Sequence, residues 1–214
     1  MTYQRLGVLG GLLALGTVLG SCGGWLSQSE EPSIATSPTP SPTTSASPIP
    51  SPSPTTAFPK DWHRYQSPQG KASVLFPKKP KSDVNQIETP NGKTEIFLAR
   101  YADNGRRRVY LFSHNAIPVP KDSYVDIEKA LNSSRDNLAK GISATVTSEV
   151  KMRLNGFPGR EIRLTRPGQF AAKARIFYAD GVLYQAVVGA EDAKLDHEAV
   201  MTFLKSVQLK KTAS

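Results

Sequence analysis

The single cysteine, Cys22, is the first candidate for chemistry in this sequence. It directly follows the small residues Gly20 and Ser21, at the end of an apolar run over positions 6–19. With one cysteine in 214 residues, the chain has no partner for an internal disulfide. The run has the length of a signal-peptide hydrophobic region and is too short to span roughly 30 Å of hydrocarbon. We therefore expect the thiol to be a site of modification.

The sequence Leu19-Gly20-Ser21-Cys22 resembles the bacterial lipobox, which lipoprotein signal peptidase recognises. This resemblance implies that residues 1–21 are removed as a signal peptide and that Cys22 carries a diacylglycerol thioether. Acylation of the new amino group, for example by palmitate, would then follow. Each buried methylene contributes about 0.8 kcal/mol, so two or three chains make a stable anchor. The alternative is an ordinary secretory signal with an unmodified cysteine. The resemblance thus predicts an extracytoplasmic, membrane-anchored protein on a periplasmic, lumenal or cell-surface side.

The three histidines lie on different predicted elements, at His63, His114 and His197. A zinc site needs three or four converging ligands, and no histidine, cysteine or aspartate spacing of that kind is present. Folding would have to bring His63 near Asp61, or His197 near Asp192, to build one. The sequence also lacks a Gly-x-Ser-x-Gly elbow, a phosphate loop and a dinucleotide fingerprint. We predict no catalytic, metal or cofactor site and no enzymatic activity.

The positive charge belongs to the C-terminal part of the chain. The sequence has 27 basic and 18 acidic residues. Residues 1–59 hold only three of them, Arg5, Glu30 and Glu31, and all the others lie at Lys60 or beyond. A basic domain at a membrane can meet anionic headgroups or an acidic partner. The alternative is that the net charge of +9 only keeps a secreted domain soluble.

The densest basic cluster is Arg106-Arg107-Arg108, a candidate contact for an anionic surface. A second group, Arg160 to Arg166, would extend that surface. Because side chains alternate along a strand, Glu161 and Arg163 are predicted to share one face. The alternative there is a solvated face with cross-strand ion pairs worth a few tenths of a kcal/mol. Nucleic acid is excluded as a partner, since no recognition motif accompanies the charge.

The stretch 22–59 is predicted to be a disordered linker, because it is dominated by serine, threonine and proline. Proline favours an extended conformation of about 3.1 Å per residue, so some thirty residues would reach on the order of 90 Å. The linker would hold the domain away from the bilayer. Its alternative role is to bind a proline-recognising module. Residues 60–209 form the predicted domain, and 210–214 form a polar tail.

Within the domain, period-2 patterns predict strands that are joined by turns containing Gly, Asn or Asp. The predicted strands cover 63–65, 72–76, 81–88, 94–102, 109–117, 146–154, 162–164, 172–178 and 182–188. A first helix is predicted after Ser123 as N-cap, with Tyr124 on its buried stripe and Gly141 at C′. A second helix is predicted to begin near Asp192. The predicted fold class is α+β: a twisted antiparallel sheet of about six or seven strands flanked by two helices.

Several motifs resemble those of PsbP-like and DcrB-like secreted domains over about 60–209. The motifs are Trp62-x-x-Tyr65-x-Ser67-Pro68-x-Gly70, Val74-Leu75-Phe76-Pro77, Gly156-Phe157-Pro158-Gly159-Arg160-Glu161, Arg175-Ile176-Phe177-Tyr178, Leu183-Tyr184 and Phe203-Leu204-Lys205-Ser206-Val207. The resemblance implies an α/β/α sandwich that works without catalysis, and it implies photosystem II as the partner complex if the source is photosynthetic.

Together these patterns predict a lipid-anchored, non-catalytic binding domain that acts as an accessory or assembly factor for a membrane protein complex. The alternative is a periplasmic lipoprotein that binds a small ligand or a metal ion. An enzyme is the third hypothesis, and it would require titratable groups that converge in a deep pocket.

Overall fold

The computed structural model describes residues 58–89, 92–118, 124–166, 168, 170–191 and 194–211. The signal peptide 1–21, Cys22 and nearly all of the linker 22–59 lie outside these ranges, so they stay predictions. Ser123 and Asp192 also lie outside them. Within the described ranges, no helix is long and apolar enough to cross a membrane.

The described residues form ten strands and two helices. The strands are β1 (His63–Gln66), β2 (Ala72–Phe76), β3 (Lys81–Thr89), β4 (Gly92–Asp103), β5 (Arg108–Ala116), β6 (Thr145–Leu154), β7 (Phe157–Arg166), β8 (Phe170–Ala179), β9 (Val182–Ala190) and β10 (Gln208–Leu209). The helices are α1 (Ile127–Gly141) and α2 (Glu198–Lys205).

Seven strands form one antiparallel sheet in the order β3-β4-β5-β9-β8-β7-β6, which confirms the predicted α+β class. Two tight hairpins have positive φ at both turn residues, as the type I′ turn requires: Asn155-Gly156 with 53° and 88°, and Asp180-Gly181 with 48° and 79°. The strands β1, β2 and β10 form a separate small sheet. In this small sheet β2 pairs with the distant β10 as well as with its neighbour β1.

Each face of the large sheet is covered by one helix. Helix α1 packs on β6, β7 and β8, and buries Leu131 against Ile162, Leu164 and Ile176. We call this side the α1 face. Helix α2 and the small sheet cover the other side, which we call the α2 face. There the core includes Tyr110, Phe112, Phe177, Tyr184, Phe76 and Phe203.

Helix α1 begins later than predicted. Its N-cap is Asp126, whose carboxylate accepts a hydrogen bond of 3.0 Å from the Lys129 amide. Tyr124 therefore precedes the helix and is 92% exposed, so its place on the buried stripe was wrong. The helix also ends through Ile142, with Ser143 in the left-handed region at φ 51°, rather than with Gly141 at C′.

Helix α2 begins at Glu198 instead of near Asp192. His197 is its N-cap, and the Ala199 amide donates a 3.1 Å hydrogen bond to His197 Nδ1. Leu195, predicted on the helix, lies before it and is nevertheless fully buried. His197 therefore has a structural role as a helix cap. No spacing rule in the sequence indicated that role.

A bulge in β6 changes which side chains face the core. The pairing register with β7 shifts between Val146 and Ser148. Val146 consequently faces α1, whereas Val150 points to the other side and is 60% exposed. The predicted uninterrupted alternation of β6 was therefore wrong, and the shift places Glu149 on the α1 face.

Candidate binding site around His114

One of the cross-strand rows on the α2 face crosses the whole large sheet with one residue from each strand and is rich in aromatic rings. In strand order the row is Val84, Phe97, His114, Tyr184, Phe177, Gly159 and Met152. Four adjacent members carry rings. Directly opposed side chains on one face lie within contact distance, so the row forms a continuous wall.

The row is most tightly packed at Phe177 and Gly159. A Cβ on Gly159 would overlap the Phe177 ring and lie 2.6 Å from the carbonyl oxygen of Ile176. Glycine is therefore needed here for close approach. The strand predicted over 162–164 begins earlier, at Phe157, so Gly159 lies inside β7.

His114 is the one imidazole in this row, and it is buried. Its side chain is 3% exposed, and its ring stacks on Phe97 with centroids 4.9 Å apart and planes at 9°. The Tyr184 ring lies 5.7 Å away. His114 Nε2 is buried and has no hydrogen-bond partner within the described ranges. Burial lowers the pKa of His114 to about 4, so the ring is neutral near pH 7.

A cavity of about 450 Å³, which we call the His114 cavity, opens at this part of the row. Its apolar wall includes Phe97, His114, Tyr184 and Val182. Polar residues from three elements also line the cavity, and they are Gln69 and Lys71 from the turn before β2, Gln86 from β3, and Lys93, Thr94 and Glu95 from β4. An apolar wall with a few polar groups is typical of a small-molecule site.

The charges around the cavity are only partly paired. Lys93 Nζ lies 3.3 Å from a Glu88 carboxylate oxygen, and both side chains are largely exposed. Within the described ranges, neither Lys71 nor Glu95 forms an ion pair. The cavity therefore offers one unpaired cation and one unpaired anion beside a ring-lined wall.

The predicted basic residue Arg160 lies on the α1 face, away from the cavity, and is only 4% exposed. It donates hydrogen bonds to Glu149 and, at 2.7 Å, to Glu128 of α1. Arg135 of α1 also donates to Glu149, at 2.7 Å. Burial acts to raise the pKa of Glu149, but the hydrogen bonds from Arg135 and Arg160 outweigh it and lower that pKa. These ion pairs connect α1 to β6 and β7.

Glu161 and Arg163 share the α2 face, opposite Ile162 and Leu164, as predicted. Glu161 accepts a 2.7 Å hydrogen bond from Arg175, and Arg163 donates to Asp196 at 3.1 Å. Hydrogen bonds from Arg163 and Lys173 lower the pKa of Asp196. The cations of this region are therefore ion-paired across neighbouring strands and to the segment before α2.

The triplet Arg106-Arg107-Arg108 does not lie on one surface. Arg106 and Arg107 are exposed and pair with Asp103 and Glu191, respectively. Arg108 is 4% exposed, so the part of the prediction that placed it at a surface contact was wrong. The physical reason is strand alternation, which turns Arg108 toward the core beside Tyr110. A contact between an anionic partner and the other two arginines stays a prediction.

The structure separates the three histidines. His63 is exposed on β1, His114 is buried in the row, and His197 caps α2. Within the described ranges, no group of three or more histidine, cysteine, aspartate or glutamate side chains is placed to hold a metal ion. From the sequence, His114 was a candidate only for a metal ligand, and no pattern predicted the cavity. The position of His114 in the sequence could have indicated the site. By strand alternation, its ring faces the same side of the predicted strand as Tyr110 and Phe112.

Solved structures that are similar to this chain include the following two. The solution structure of cyanobacterial PsbP (CyanoP) from Synechocystis sp. PCC 6803 is 11% identical, with a TM-score of 0.49, over 70% of this chain and 92% of that one. The crystal structure of PA94, a protein of unknown function from Pseudomonas aeruginosa, is 10% identical, with a TM-score of 0.29, over 64% and 87%. No protein-family model and no curated protein sequence matches the chain.

Proposed function

We propose that this chain is a lipid-anchored, extracytoplasmic, non-catalytic binding domain that serves as an accessory or assembly factor for a membrane protein complex. The observation that carries the proposal is the order of three segments: a lipobox-like Leu19-Gly20-Ser21-Cys22, a Pro-rich stretch to residue 59, and an α+β domain. An anchor and a spacer keep a domain within reach of partners in the same membrane.

The grouped charges of the described domain have structural partners, which supports the non-catalytic part of the proposal. The larger groups of opposite charges, around Arg160 and around Glu161, form ion pairs that connect separate elements. Such pairs stabilise packing and orient helices. The resemblance of the quoted motifs to PsbP-like domains points to the same kind of function, and it makes photosystem II the complex to test first in a photosynthetic source.

The proposal is tested by crosslinking the full chain in intact cells, isolating it from membranes, and identifying the proteins that co-purify. We expect one dominant membrane complex. In a Cys22→Ala variant, the complex and the membrane retention should both be lost. A matched Ser21→Ala variant keeps a small residue before the cysteine and should retain both.

Two results would contradict the proposal. The first is an intact mass of the mature protein without lipid on Cys22, which removes the anchor. The second is a lipidated protein that purifies alone after crosslinking, which removes the accessory role but leaves the anchor in place.

A further inference from the structure

The His114 cavity combines two independent features that indicate a ligand. Its volume of about 450 Å³ lies within the range of roughly 300–1,000 Å³ that is usual for small-molecule sites. One residue of its wall, His114, is 97% buried, and its Nε2 lacks a hydrogen-bond partner within the described ranges. Buried polar atoms without partners are rare and cost stability, so their retention points to a role other than packing.

We propose that the His114 cavity binds a small ring compound that carries a carboxylate group. The site goes beyond the accessory role proposed above and does not depend on it. A lipid anchor or a protein partner can be disproved without affecting the cavity, and the reverse also holds.

The ring preference follows from the wall of the cavity. The Phe97 and His114 rings are nearly parallel at 4.9 Å, and Tyr184 and Val182 continue the wall on β9. Offset stacking of aromatic rings contributes beyond the burial of apolar area. Val84, opposite Phe97 in the row, is 55% exposed, so the row still has apolar surface at its β3 end.

The carboxylate preference follows from the charges at the rim. Lys71 and Lys93 outnumber Glu95 among the lining residues. Lys93 forms an ion pair with Glu88, whereas Lys71 has no ion pair within the described ranges. Lys71 is therefore the cation that a ligand carboxylate would meet. Glu95 carries the same negative charge as the ligand carboxylate, so it should weaken binding of the ligand.

The experiment titrates the purified full chain, in detergent micelles, with naphthalene-2-carboxylate and separately with naphthalene-2-methylamine. The readout is the NMR signal of the ring carbon-bound protons of the histidines. His63 and His197 lie outside the cavity and serve as internal controls. We expect a saturable shift at His114 alone, with a Kd on the order of 1 mM or tighter for the carboxylate. The amine should bind at least threefold more weakly.

Three variants test the assignment of charges. Lys71→Gln should weaken the carboxylate about threefold, as expected for loss of an exposed ion pair, and should not weaken the amine. Glu95→Gln should strengthen the carboxylate about twofold. Lys129→Gln, an exposed lysine on α1 at the opposite face, is the matched control and should change neither affinity.

The proposal is overturned if His114 shows no saturable shift up to 10 mM carboxylate, a concentration about tenfold above the expected Kd. It is also overturned if both compounds bind equally in every variant, since the rim charges would then have no part in binding. Equal shifts at all three histidines would indicate unspecific association with the micelle and would likewise count against the site.

Discussion

The two faces of the large sheet each bury an arginine to the same extent, and they surround it differently. Arg160 on the α1 face and Arg108 on the α2 face are both 4% exposed. Arg160 donates to the carboxylates of Glu128 and Glu149. Arg108 has no ion pair within the described ranges; its guanidinium hydrogen-bonds the Tyr110 side chain, and its Nε and Nη1 lack partners, as does Nε of Arg160.

This difference shows that equal burial does not imply equal compensation of the buried charge. On the α1 face, carboxylates balance the charge and tie a helix to two strands. On the α2 face, closely packed rings form the core, and the Arg108 guanidinium lies beside Tyr110 without an ion pair within the described ranges. Of the four buried side-chain atoms without a hydrogen-bond partner in the described ranges, three belong to Arg108 and His114 on this face, and the fourth is Arg160 Nε on the α1 face.

The largest expected effect is the loss of charge balance on the α1 face. Arg160→Met should lower the free energy of unfolding by about 3 kcal/mol, because Glu149, which is mostly buried, keeps only Arg135 as a counter-charge. Urea unfolding at pH 7 measures it. Arg153→Met removes an exposed arginine of β6 and should cost less than about 0.5 kcal/mol. Equal losses for the two variants would mean that the buried ion pairs do not hold α1.

The corresponding change on the α2 face is Gly159→Ala. The added Cβ would overlap Phe177 and the Ile176 carbonyl, so we expect a loss of about 3 kcal/mol. Gly189→Ala in β9 is the control, since a Cβ there meets no atom within 4 Å. Its effect should stay within about 1 kcal/mol. A harmless Gly159→Ala would show that the row is not closely packed.

The pH dependence of stability separates His114 from the ion pairs. The folded-state pKa of about 4 lies below the ordinary value of 6.5, so protons bind the unfolded chain first as pH falls. Stability should therefore drop by about 2 kcal/mol between pH 7 and pH 5. His114→Phe should abolish most of this slope. The lowered pKa of Glu149 acts at lower pH, because its contribution is lost only below its unfolded value of about 4.5.

The smallest effect is expected for Arg108→Met, and its sign is opposite to that of Arg160→Met. Removing a buried guanidinium that lacks ion pairs should be neutral or should stabilise the fold by about 1 kcal/mol. The control Arg106→Ala removes an exposed ion pair and should change stability by less than about 0.5 kcal/mol. If Arg108→Met lowers the free energy of unfolding by more than about 2 kcal/mol in the same measurement, the two faces do not differ in this way.

Local features of the fold were predictable from sequence. Asn155-Gly156 and Asp180-Gly181 specify hairpins by themselves, since both residues of a type I′ turn need positive φ. Alternation likewise placed Glu161 and Arg163 opposite the core residues of β7. Errors occurred where a longer-range contact decides the outcome. The bulge after Val146 reverses the phase of β6. The pairing of β2 with β10, which builds the small sheet, is also a long-range contact, and no local pattern predicted it.

By itself, the sequence determined the α+β class, the hairpins and the lipobox-like position of Cys22, because each depends on neighbouring residues. Only the tertiary structure decided the cross-strand row and the His114 cavity. His114 meets Tyr184 because β5 pairs with β9, and it meets Phe97 because β4 and β5 form a hairpin in one particular register. Strand order and register depend on packing against α2 and the small sheet. The periodic pattern of a single strand does not specify either of them.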